Sequence, residues 1–213
     1  MKLMDRKVID FIEQVSSKSP APGGGSVSAL SGALGVSLAL MVGHLTIGKK
    51  KFLEKDIAIQ NMFQKTVEDL KEIETALMPL VDQDTEAFDH IMQAYRLPKA
   101  SEEELNVRKK AIVKATLEAI HVPQRVASLS LEALKKLSIM IEHGNTSAIS
   151  DLGVSILHLV TAIEGASMNI KINTPSLEDD HQKQAFIAWA NQATLEAHQI
   201  KQEELPKIYS KIG

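Results

Sequence analysis

The chain has 213 residues and a net charge of −3, with 44% hydrophobic and 24% charged residues, which is ordinary for one substantial globular domain. It has no cysteine, which removes disulfides, thiolate zinc sites and a cysteine nucleophile together. Aromatics make up only 4% and no basic face is interleaved with them, so nucleic acid is not an expected partner. The opening residues, Met1 to Arg6, lead into charged amphipathic sequence rather than the apolar core of a signal peptide, and a cytoplasmic location is expected.

Strand signals are nearly absent: there is no sustained apolar/polar alternation and no Asn-Gly or Asp-Gly hairpin turn. Residues 4–16 place Val8, Phe11, Ile12 and Val15 on one helical stripe. Residues 19–48 then run without a single Asp, Glu, Lys or Arg, beginning Ser19-Pro20-Ala21-Pro22-Gly23-Gly24-Gly25-Ser26. Gly23, Gly24 and Gly25 let the backbone come close to a ligand, and Ser26 is the expected N-cap of a helix reaching about Ile47. The unpaired N–H groups at such a helix start favour an anion. Ser31, Gly35, Ala39 and Gly43 recur every fourth residue, a ridge over which two helix backbones can approach. A run this long and apolar also meets the criterion for a membrane span. Serines, glycines, His44 and Thr46 dilute it, and the sequence after Lys49 reads as amphipathic with no second comparable run, so a buried core helix is expected and a membrane is not.

A third helix is predicted from near Leu53, carrying Phe63, Val67, Leu70, Ile73 and Leu77. Pro79 bends or breaks it, and the stripe resumes in phase with Leu80, Val81, Phe88, Ile91 and Tyr95. Leu97-Pro98-Lys99 ends that segment. Ser101-Glu102-Glu103-Glu104 is a capping box opening a fourth helix to about Ile141, kinked at Pro123. Gly144-Asn145 makes a turn before a fifth helix from about Thr146 to Ile170. Ser176-Leu177-Glu178-Asp179 caps a sixth, with Phe186, Trp189 and Ile200. No linker divides the chain. The expected fold is one all-α domain over residues 1–213, a bundle of long, partly proline-kinked helices.

Asp84 falls near the middle of an apolar face, within about 60° of Leu80, Val81, Phe88 and Ile91 at helical spacing. A carboxylate there is costly unless it is paired or lines a cavity. It either pairs with a lysine or caps the helix restarted after Pro79, or it serves a site, where desolvated carboxylates concentrate. Asp82 points away from that stripe and reads as solvated. Asp151 raises the same question on a face with Ser155, Leu159 and Ala162, where a first-turn carboxylate also complements the helix dipole.

Asn169 and Asn173 carry amides that donate and accept, suited to an amide-like heterocycle, although asparagine also terminates helices. Asn145 either orients a ligand or makes turn and cap bonds. Lys49, Lys50 and Lys51 close the second helix, as a solvated charge run or as a docking point for a polyanion. Lys99, isolated beside Pro98, is the better single cation or proton donor. The histidines lack HxxxH and HExxH spacing, and no metal site is expected.

Taken in order, Pro20 to Ser26, Gly48-Lys49-Lys50-Lys51, Asp84-x-x-Ala87-Phe88, Leu97-Pro98-Lys99, Gly144-Asn145 with Ser150-Asp151, and Asn169-x-x-x-Asn173 resemble the cyclodeaminase/cyclohydrolase family. That family includes the C-terminal domain of formiminotransferase-cyclodeaminase and stand-alone methenyltetrahydrofolate cyclohydrolases. The resemblance implies an all-helical homodimer, joined by helix packing, with folate in a groove near the subunit interface. It implies a tetrahydrofolate derivative as substrate and no cofactor. The reaction would be hydrolysis of 5,10-methenyltetrahydrofolate to the 10-formyl form, or closure of 5-formiminotetrahydrofolate with release of ammonia. A non-catalytic folate-binding dimer is the third possibility. The chain carries no formiminotransferase half, which favours the cyclohydrolase. By the same resemblance Asp84 is the catalytic carboxylate and Lys99 a proton shuttle or anchor for the glutamate tail. Asp151, Asn145, Asn169 and Asn173 position the pterin and reacting centre, and Phe88 lies against the substrate. Pro22, Gly23, Gly24, Gly25 and Ser26, with Lys49, Lys50 and Lys51, receive its carboxylates.

Overall fold

Nine α-helices account for most of residues 2–213, the part of the chain described by the computed structural model, and no strand occurs among them. They are α1 (Val8–Val15), α2 (Gly24–Thr46), α3 (Lys50–Leu53), α4 (Ile57–Leu77), α5 (Leu80–Arg96), α6 (Glu102–Lys135), α7 (Leu137–His143), α8 (Ile149–Asn173) and α9 (Asp180–Ile212). The all-α expectation holds. α2 is the axis, touching α4, α5, α6 and α8, while α8 bridges it to α6 and α9.

Small residues let α2 serve so many neighbours. A Cβ on Gly32 would lie 2.7 Å from the Ser130 hydroxyl of α6, and one on Gly43 2.6 Å from Val67 of α4. Against the antiparallel α8, a Cβ on Gly35 would lie 2.9 Å from Leu159, and one on Gly165 2.2 Å from Ser28. Two side-chain bonds fasten the same surface: Ser155 donates to the Gly35 carbonyl at 2.6 Å, and Ser31 to the His158 carbonyl at 3.0 Å. The expected ridge therefore divides. Each four-residue step drifts about 40° around a helix, so Ser31 and Gly35 face α8 whereas Gly43 has turned to α4. Phe63, Leu70, Leu134, Met140, Leu152 and Ile156 fill the core around this axis, each below 2% exposed.

Several boundaries differ from the sequence reading. Gly23 is the N-cap of α2 and Ser26 lies inside the helix. The lysines do not close α2, which ends at Thr46. Gly48 turns the chain at φ +81°, and Lys50 and Lys51 begin the separate α3. α4 starts only at Ile57, where the Asp56 carboxylate accepts from Ala58 N–H at 2.7 Å. α6 stops at Lys135 before the short α7, and the cap of α9 is Asp179 rather than Ser176. The Ser101–Glu104 capping box forms as expected.

A second long apolar run does exist, contrary to expectation. Both α2 and the stretch Thr146–Ser176 around α8 are long and apolar enough to cross a membrane by length and composition, with 67% and 56% of their apolar windows buried inside the protein. Their outward faces leave Leu34, Met41, Val154, Leu157, Met168 and Ile172 exposed in one region, since the two helices lie side by side.

The glycine contacts yield a paired test by urea denaturation. Gly35→Ala forces a methyl into Leu159 and is expected to destabilise by about 1–3 kcal/mol. Gly153→Ala, where the new methyl meets Ile208 only at an ordinary 3.5 Å, is expected to be neutral or to stabilise by up to about 1 kcal/mol. Equal effects of the two changes would contradict this account of the axis.

Candidate active site

Pro79 supplies the N-cap of α5, and one turn later Asp84 reaches the start of α2. That start lacks any side-chain cap from its own N-cap residue, Gly23. The Asp84 carboxylate fills the role from another helix: it accepts from the Ser26 hydroxyl at 3.0 Å and from the Ser26 backbone N–H. Ser26 in turn lies 3.2 Å from the Thr85 hydroxyl. A Cβ on Gly25 would sit 1.9 Å from Asp84 Oδ1, so this approach requires glycine there. The two readings of Asp84 thus merge, since it caps a helix, but the helix is α2 and not its own.

No cation pairs with Asp84 among the described residues. Burial pushes its carboxyl above the usual aspartate range, and the two Ser26 hydrogen bonds, which favour the ionised form, offset only part of that.

The carboxylate opens on a cleft of about 300 Å³. Gly23, Gly24 and Gly25 form one wall; Phe88 and Ile91 of α5, and Asn169 and Asn173 at the end of α8, form others. Both asparagines have their amide NH2 groups engaged. Asn169 donates to the Gly165 carbonyl at 2.8 Å, and Asn173 to Asn169 and Ala119 carbonyls at 2.9 and 3.1 Å. Carbonyls only accept, so each NH2 must face them and each Oδ1 is left free to accept from a ligand. The Ala119 carbonyl is available because Pro123, four residues on, has no N–H to bond it. Pro123 inside α6 and Asn173 are therefore one device. Proximity of Pro123 and Ala119 in sequence was the available signal for Ala119 as a cleft residue; for Ile91 it was the helical face shared with Asp84, and for Ala21 its place in the Pro20–Ser26 stretch.

The remaining candidates lie elsewhere. Pro22 is buried beneath the glycine loop and does not line the cleft. Lys49, Lys50, Lys51 and Asn145 line a different cleft of about 400 Å³. It lies past the other end of α2, whose 23 residues span about 33 Å. The Asn145 amide is consumed there by turn bonds, accepting from Ser147 N–H at 3.0 Å and donating to the Leu45 carbonyl at 3.3 Å. Asp151 is half-buried in the first turn of α8, near that same end. Lys99 is exposed in the α5–α6 loop and lines neither cleft. Asp82 is not merely solvated, because it accepts from the Leu3 N–H. Among the described residues no group of three or more His, Asp and Glu side chains is placed to hold a metal ion.

Known proteins share the sequence pattern and the fold. The family model described as formiminotransferase-cyclodeaminase matches residues 7–192. A methenyltetrahydrofolate cyclohydrolase of Methylorubrum extorquens is 36% identical over 79% of this chain and 79% of its own. The formimidoyltransferase-cyclodeaminase of Mus musculus is 34% identical over 84% of this chain but only 32% of its own length, so the chain spans about a third of that longer protein. The crystal structure of a formiminotetrahydrofolate cyclodeaminase from Thermotoga maritima has the same fold, with a TM-score of 0.85 over the whole of both chains at 23% identity. The chain belongs to the formiminotransferase-cyclodeaminase family.

Proposed function

We propose that this chain is a folate one-carbon enzyme, and specifically a cyclohydrolase that adds water to 5,10-methenyltetrahydrofolate and yields 10-formyltetrahydrofolate. The observation that carries the reading is Asp84, a part-buried carboxylate without a cation, set beside a glycine wall that a flat ring system can approach. The methenyl carbon belongs to a cationic amidinium, so the substrate itself supplies the missing charge partner. The Methylorubrum relative, similar over most of both chains, carries the cyclohydrolase name.

In this mechanism the free Oδ1 atoms of Asn169 and Asn173 accept N–H groups of the pterin, and Phe88 covers its face. Asp84 stabilises the amidinium by charge and takes the first proton of the attacking water. As the C–N5 bond breaks, that proton passes to N5. The second water proton leaves to solvent and the water oxygen becomes the formyl oxygen on N10. Ser26 holds the carboxylate in place throughout. Hydrolysis of this kind needs no cofactor.

A homodimer is part of the proposal. The exposed apolar residues of α2 and α8 reach the cleft through Ile172, which both lines it and is 74% exposed. A second copy on this face would cover the apolar surface and wall the cleft. An antiparallel pairing would also bring the lysine end of one α2 toward the Asp84 end of the other. The cyclodeaminase reaction is the second reading, favoured by the names of the mouse and Thermotoga proteins. Ammonia release from 5-formiminotetrahydrofolate decides for it.

Asp84→Asn is expected to lower kcat/KM for methenyltetrahydrofolate hydrolysis by roughly 10²–10⁴-fold, read from loss of its absorbance. In the wild type, activity should fall on acidification with an apparent pKa above the ordinary aspartate value of 3.8, because the base must be ionised. Stability should move the other way. A carboxyl whose folded pKa is raised contributes stability below its unfolded pKa, and loses it as pH rises through the folded value. Asp84→Asn should therefore melt higher than wild type at neutral pH, with the difference vanishing near pH 3. On light scattering the wild type should be a dimer in detergent-free buffer, and Leu34→Glu a monomer.

A further inference from the structure

The Asp84 cleft continues along α5 into an outer hollow of about 400 Å³, with Pro20, Ala21 and Phe88 lining both. The outer hollow adds Met92 and Arg96 of α5. Asp84, Phe88, Met92 and Arg96 follow at four-residue steps, a row that winds about 120° around α5 and passes from the inner cleft to the outer hollow. From Asp84 to Arg96 the axis rises about 18 Å. Helical side chains lean toward the N-terminus, so the guanidinium tilts back over Met92 and shortens that span. The row thus reads, in order, as a carboxylate for the amidinium, an aromatic ring, a polarizable thioether and a cation.

Arg96 makes no ion pair among the described residues. Arg6 does not line the hollow and donates to Gln14, which does. One carboxylate, Asp89, also lines it. Arg96 and Asp89 are the charged residues of the lining, and they form no ion pair with each other, which leaves the guanidinium open to an anion.

We propose that the outer hollow binds the p-aminobenzoylglutamate half of the substrate, and that Arg96 holds a carboxylate of its glutamate. This assignment rests on the folate reading of the Asp84 cleft. Lys99, three residues beyond, lines neither hollow and is not needed for it. The structural alternative is that Arg96 merely complements the C-terminal dipole of α5, in whose last turn it lies.

The test compares 5,10-methenyltetrahydrofolate with the same ring system truncated at the p-aminobenzoate, 5,10-methenyltetrahydropteroate. Arg96→Gln is expected to raise KM for the glutamate-bearing substrate roughly ten- to hundredfold, the loss of a charge-assisted pair, with kcat held within about twofold. Arg96→Lys should restore part of the loss, and KM for the truncated substrate should not move. Equal changes for both substrates, or for neither, overturn the assignment, as does a change confined to the melting temperature. Should the wild type turn over neither substrate, the cyclohydrolase reading fails. The same comparison is then made by equilibrium binding of 5-formyltetrahydrofolate and 5-formyltetrahydropteroate. Glutamate-selective loss of affinity in Arg96→Gln would still uphold Arg96, and absence of binding to either ligand overturns both proposals.

Discussion

Where Gly165 of α8 faces Ser28 of α2, a single methyl group would sit 2.2 Å from the serine hydroxyl, and that closeness governs the geometry of the cleft. One turn further along α8, Asn169 comes within reach of Gly24, and a second turn carries Asn173 to the carbonyl that Pro123 leaves unbonded. The positions of the two amides follow from how tightly two helices meet, at Ser28, two residues past the Ser26 that bonds the carboxylate. Larger side chains on this surface would move the end of α8 off the start of α2. The asparagines would then no longer share a wall with the glycines.

The start of α2 carries the opposing requirement. A helix that begins with glycines has N–H groups in need of an acceptor, and Asp84 answers that need from across the fold. Its setting leaves it incompletely satisfied: Ser26 contributes hydrogen bonds, while burial works against the charge and no cation is paired with it. Such a group costs stability in the free protein and suits a substrate that brings its own positive charge. The same carboxylate therefore shapes the helix terminus and would drive the chemistry, and it is the point at which fold and proposed function meet.

Much of this was legible in the sequence, for reasons that can be stated. Asp84 betrayed itself by standing on an apolar stripe whose phase survives Pro79, and the glycine loop by its composition. Asn169 and Asn173 share a face because they are four apart. What the sequence concealed is tertiary. Nothing local told that Ser26 would turn from capping its own helix to bonding Asp84. For Asn145 the turn-and-cap alternative is the one the structure shows, its amide being spent on Ser147 and Leu45. Lys49–Lys51 read as a helix end because charge alone cannot locate the turn that Gly48 makes. The apolar character of α8 was masked by its serines and glycines, which are also the residues that let it approach α2.

The central claim is that the Asp84 carboxyl is poised by desolvation rather than by pairing. Carbon-detected NMR titration of side-chain-labelled aspartates, with Asp84 assigned by difference from Asp84→Asn, measures this directly. The account predicts a midpoint clearly above 3.8 in the unliganded protein. A midpoint at or below that value would contradict it.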